Sequence, residues 1–211
     1  MPSCWSDARR WITSPRAVVA IQKTSMGALT DTTGQNEYRS ELDNHADTCV
    51  VGTKTDLLIH DYNRPFQVHG YDERVGEIEA CRTVSAVIAY DHTKSGDTYM
   101  LVLNQAILIP QMENNLLCPI KMRDNDVRVN DTSKFMIPTP MDNHHVILIN
   151  GIDQDQQPIN IPLSIKGVIS YLPLRKPTRK EYEGSEPDFR IEITVEEPEW
   201  DPQTTWFESQ E

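Results

Sequence analysis

No apolar run in these 211 residues approaches the ~20 needed to span a bilayer, and the opening "MPSCWSDARRWITSPR" lacks the apolar core of a secretory signal. The two absences predict an intracellular, cytoplasmic chain with no membrane partner. Basic charge is scarce too: 20 Lys and Arg stand against 32 Asp and Glu, for a net charge of −12. Phosphate recognition needs clustered Lys and Arg, so direct nucleic-acid binding is not expected as the main role. The four cysteines, Cys4, Cys49, Cys81 and Cys118, are widely spaced and form no CxxC pair. That spacing favours buried free thiols over a zinc ribbon or a dense disulfide framework. No internal repeat is present, and no long stretch keeps a helical period. What is left is a globular composition, 38% hydrophobic and 25% charged, enough for one sizeable core with room for an appended subdomain.

Alternating apolar and β-branched runs dominate. "AVVAIQ" (17–22), "YRSEL", "CVV" and "RPFQVHGY" read as strands. "TVSAVIAY" and "TYMLVLNQAILI" flank "DHTKSGD", where Gly96 and Asp97 suit a hairpin turn. "NLLC" is strand-like, and "PIKMRDN" opens with a proline suited to the first turn of a short helix. Three more β-like segments follow, "HHVILI", "INIPLSI" and "GVISYLPL". Beyond Arg175 the chain turns acidic and proline-rich, with an alternating run at Phe189, Ile191, Ile193 and Val195.

The stretch "ELDNHADTCVVG" (41–52) is where chemistry concentrates. Asp and Asn favour turns because their side chains bond nearby backbone amides, so a plain turn is one reading. A metal site is a second: on an extended strand Asp43, His45 and Asp47 would share a face. A catalytic carboxylate delivered by a strand is the third.

The third reading gains from a resemblance. "LDNHADTCVV" is similar to the active-site pattern of retropepsin-like aspartic proteases, L-D-[ST]-G-A-D followed by paired apolar residues, at Leu42, Asp43, Ala46, Asp47, Val50 and Val51. Downstream, "LNQAILIPQMENNLLCPI" resembles the corresponding segment of copia-type retrotransposon polyproteins at Asn104, Pro110, Asn115, Leu116 and Leu117. The resemblance implies a mostly β chain: a retropepsin-like closed β domain with one short α-helix over residues 16–130. Before it would lie a tail (1–15), and after it a β-rich C-terminal extension (131–175) and an acidic linker or tail (176–211). It implies Asp43 as the catalytic carboxylate, Asn44, His45, Ala46 and Asp47 as the active-site and substrate-binding loop, and Leu116, Leu117 and Cys118 as its buttress. Gly70, Tyr71 and Gly76 are the flap candidates. The chain offers one such motif, so the resemblance implies a homodimer that hydrolyses a polyprotein, without cofactor or metal. Where the element is active, a virus-like particle is the implied setting. Asn44 stands where the family has Ser or Thr, whose hydroxyl bonds across the dimer, and His45 where it has Gly. Asp47-Thr48-Cys49 is a rival Asp-Thr-Gly assignment, without the preceding apolar residue. Two other functions stay open: a non-catalytic protease-shaped dimerisation or peptide-binding module, and a metal-dependent hydrolase.

Overall fold

Two β-sheets share one core. The computed structural model describes residues 17–18, 38–69, 77–150, 158–202, 204 and 209, and the elements named below belong to that part of the chain. In chain order they are β1 (Ala17–Val18), β2 (Arg39–Leu42), β3 (Val50–Val51), β4 (Leu57–His69), β5 (Glu77–Asp91), β6 (Thr98–Leu108) and β7 (Asn115–Leu117). After these come α1 (Pro119–Arg123), β8 (Arg128–Asn130), β9 (Val146–Ile149), β10 (Ile159–Pro162), β11 (Ser164–Lys166), β12 (Ile169–Pro173), α2 (Arg179–Gly184) and β13 (Arg190–Glu192).

The larger sheet runs β1-β4-β5-β6-β3-β7-β2-β12-β11, and β13 joins it by pairing with β6. Its spine is the antiparallel series β4, β5 and β6. The Gly96 turn closes the β5–β6 hairpin, with Gly96 at φ 80° and the His92 N–H donating to the Asp97 carbonyl at 2.8 Å. β6 is buried along most of its length, with β5 and β3 as neighbours and β13 paired alongside, and its sequence there is correspondingly apolar apart from the buried pair Asn104 and Gln105. The smaller sheet, β10-β9-β8, lies over the larger one. Val129, Ile147, Ile149 and Ile161 from it share a single buried cluster with Val84, Ala86, Ile88, Leu101 and Leu103.

The mostly β expectation holds, with two refinements. Beside the proline-led helix at 119, α2 forms where one helix was expected. Its cause is a capping box: Thr178 Oγ1 accepts from the Glu181 amide at 3.2 Å, while Glu181 accepts from the Thr178 amide at 2.7 Å. The stretch from 176, expected as a linker or tail, carries α2 and β13 and buries Ile191, Ile193, Thr194 and Trp200. Its alternating apolar residues find a place on β6. Likewise β12, from the 131–175 stretch, pairs with β2.

Candidate active site

The turn after β2 is built by the strand inserted beside it. β7 runs parallel to β2, with Ser40, Glu41 and Leu42 opposite Asn115, Leu116 and Leu117. β3 runs antiparallel to β7 on its other side, with Val50 opposite Leu116. Asp43 therefore sits where β2 ends, and its N–H donates to the Leu117 carbonyl at 3.0 Å. The chain then folds back on itself. Asp43 Oδ1 accepts from the His45 amide at 2.9 Å, and the Asp43 carbonyl accepts from the Ala46 amide at 3.3 Å. This is the side-chain-to-backbone closure that makes Asp a turn residue. The Asp43 carboxylate keeps 16% of its side-chain surface, whereas the His45 imidazole is 86% exposed. Ala46 is buried.

Because Asn44 and His45 form a turn, Asp43, His45 and Asp47 do not line one face of a strand. Among the described residues no three His, Cys, Asp or Glu side chains are gathered closely enough to hold a metal ion. In the rival Asp47-Thr48-Cys49 assignment, Thr48 and Cys49 are both buried. Cys118, beside the Asp43 turn, donates its backbone N–H to Cys49 Sγ at 3.3 Å. Cys49, Cys81 and Cys118 are all buried.

Behind the turn stands Lys121, a residue that sequence reasoning passed over. It projects from α1 and is fully buried. Nζ donates to the Gln105 carbonyl at 2.7 Å and to Thr48 Oγ1 at 3.0 Å, and it lies 5.5 Å from the Trp200 ring centroid. Burial pushes the Lys121 ammonium down to about 8, against the pull of the Cys49 and Cys118 thiols. Burial also pushes Cys118 up to about 12 and raises Cys49.

Gln105 is the second missed residue. It occupies the left-handed region, φ 51°, at the β5–β6 register shift that follows Val84. There its amide Nε2 donates to the carbonyls of Glu196 (2.6 Å) and Pro198 (3.0 Å), and its Oε1 accepts from the Trp200 N–H at 2.7 Å. Trp200 in turn donates its indole N–H to the Asp47 carbonyl at 2.8 Å. The loop that follows Asp43 is thus held by the last described stretch of the chain.

Asn44 Nδ2 donates to Asp131 Oδ2 at 2.8 Å. Asp131 is itself placed by Ser170, whose hydroxyl reaches the Asp131 carbonyl at 3.4 Å and His145 Nε2 at 2.9 Å. Burial depresses the His145 imidazole below its ordinary range. Gly70, Tyr71 and Gly76 lie outside the described residues.

Close approach explains Gly52, which ends β3. A Cβ there would collide with the Met112 carbonyl oxygen. Gly52→Ala is expected to cost roughly 2–3 kcal/mol as the backbone is forced aside. Urea unfolding should show a lower midpoint at unchanged slope.

No helix among the described residues is long and apolar enough to cross a membrane. Set against known proteins, the chain matches no family model, no curated protein and no solved structure.

Proposed function

We propose that the chain is an aspartic endopeptidase working as a homodimer, with Asp43 of each copy at the two-fold axis, and that it cleaves a retrotransposon-type polyprotein. One observation carries this reading. Two motifs distant in sequence meet as neighbouring strands, with Leu42 of one opposite Leu117 of the other, and Asp43 stands where that pairing ends, its amide held and its carboxylate partly open.

The chemistry follows from charge. Two carboxylates a few ångströms apart cannot both ionise, so one keeps its proton while the other activates water. The sequence offers one such loop, and a second copy supplies the second carboxylate. The substrate would lie extended beside it, hydrogen-bonded like an added strand. The resemblance assigns the covering flap to Gly70, Tyr71 and Gly76.

Incubating the full chain with a mixed peptide library between pH 4 and 7 tests this. Cleavage is expected to be blocked by pepstatin and to rise faster than linearly with chain concentration. Pepstatin-resistant cleavage, or silence from a folded dimer, would sink the proposal. The second outcome favours a protease-shaped binding module. Asn44 points that way, because its amide donates to Asp131 of the same chain.

A further inference from the structure

A buried polar cluster lies at the Asn115 end of β7, whereas the Asp43 turn lies at its Leu117 end. Ser40, Thr55 and Asn115 are 0% exposed and Asp56 is 1% exposed. Thr55 Oγ1 is 2.5 Å from Asp56 Oδ2 and 2.6 Å from Asn115 Oδ1. Asn115 Nδ2 donates to Asp56 Oδ1 at 2.9 Å and to Ser40 Oγ at 3.2 Å. The Gly52 N–H is shared between Asp56 Oδ2 and Asn115 Oδ1, at 3.3 Å each.

Counting protons identifies the missing one. Thr55 has one hydroxyl proton and, besides the Gly52 carbonyl at 3.5 Å, two much closer oxygens, the Asn115 amide oxygen and an Asp56 carboxyl oxygen. If Asp56 is ionised, both are pure acceptors and one close contact has no proton between its oxygens. Turning the Asn115 amide over does not help, because its oxygen would then face Asp56 Oδ1. A proton on Asp56 satisfies both close contacts: the acid donates to Thr55, and Thr55 donates to Asn115.

We propose that Asp56 acts as a carboxylic acid that clamps β7 to the Gly52–Asp56 turn, making it a positioning residue for Asp43. The clamp reaches Asp43 through β7, whose Leu117 carbonyl holds the Asp43 amide. The link to catalysis rests on the protease reading; the proton on Asp56 does not. Burial, the largest influence, raises the Asp56 carboxyl from 3.8 to about 7, and the charge of Lys176 opposes it together with the hydrogen bonds from Thr55, Asn115 and Gly52. The neighbouring charges are paired, Arg39 with Glu41 on β2 and Lys54 with Glu113 at the surface.

With the folded value above the unfolded one, the folded chain holds this proton more tightly between 3.8 and about 7. Stability from Asp56 is therefore greatest at low pH and is lost as pH rises through the folded value. Thermal unfolding of the full chain should show a midpoint that falls by roughly 5 °C or more between pH 5 and 8. In Asp56→Asn, whose neutral amide imitates the acid, that fall should disappear. Peptide cleavage at pH 5 should stay within about threefold of the parent, and its decline above pH 7 should be shallower. A parent midpoint level across the window, or an equal fall in Asp56→Asn, overturns the proposal. If Asp56→Asn does not fold, infrared difference spectra of the unaltered chain between pH 6 and 8.5 decide, by the presence or absence of a protonated carboxyl stretch. Absence of cleavage with the stability profile intact would remove the protease reading and leave the clamp.

Discussion

Asp43→Asn is expected to lower peptide cleavage by roughly 10³-fold or more while leaving the fold in place. The asymmetry comes from what each atom does. Asp43 Oδ1 accepts the His45 N–H, a job the Asn oxygen performs equally well, and the Asp43 backbone amide still meets Leu117. Stability should therefore stay within about 0.5 kcal/mol of the parent. An amide can neither hold nor release the proton that the reaction moves. A mixing experiment adds force: excess Asp43→Asn chain should suppress the parent by forming dimers with one competent carboxylate. A variant that cleaves as well as the parent would move the chemistry away from Asp43. A parent untouched by mixing would break the dimer requirement.

The largest stability loss should come from Lys121→Ala, about 3–5 kcal/mol, read as a drop in denaturant midpoint. The substitution empties a fully buried volume and strips donors from the Gln105 carbonyl and Thr48 Oγ1. Lys121→Met should cost less, roughly 1–3 kcal/mol, because the thioether fills space but leaves the Gln105 carbonyl poorly satisfied. The two variants separate packing from hydrogen bonding. pH supplies a further check. Lys121 sits near 8 in the folded chain against 10.5 ordinarily, so between those values the unfolded chain binds the proton more tightly and stability rises with pH. The raised Cys49 and Cys118 thiols act in the opposite sense above pH 9. The difference between parent and Lys121→Met isolates the lysine. A smaller loss for Ala than for Met would overturn this account.

Local signals carried the parts of the fold that local chemistry controls. The Asp-rich turn, the Gly96 hairpin and the Pro119 helix start each rest on a few adjacent residues, and each lies where its residues put it. Helix α2 was equally legible, since Thr178 and Glu181 spell a capping box, but a proline-rich acidic context disguised it. Lys121 shows where such reading stops. On α1 the apolar Ile120 is 50% exposed and the charged Lys121 is fully buried, the reverse of what hydropathy predicts. The inversion depends on acceptors at Thr48 and Gln105, from two distant parts of the chain. Asp56 and Gln105 escaped notice for the same reason. A buried carboxyl is recognisable only once Asn115 is beside it, and a left-handed glutamine only once the register of β5 on β6 is known. The turn at Asp43 was therefore readable in the sequence, and the groups that hold it were not.

The bond from the Trp200 indole to the Asp47 carbonyl spans 153 positions, and this has a consequence for synthesis. A nascent chain would expose the Asp43 turn long before the residue that braces it leaves the ribosome. Pairings of such high contact order form late and slowly. Bracing of the turn is thereby deferred until nearly the whole described chain has emerged, and on the proposed protease reading that delay would keep the enzyme idle while its own substrate is still being made.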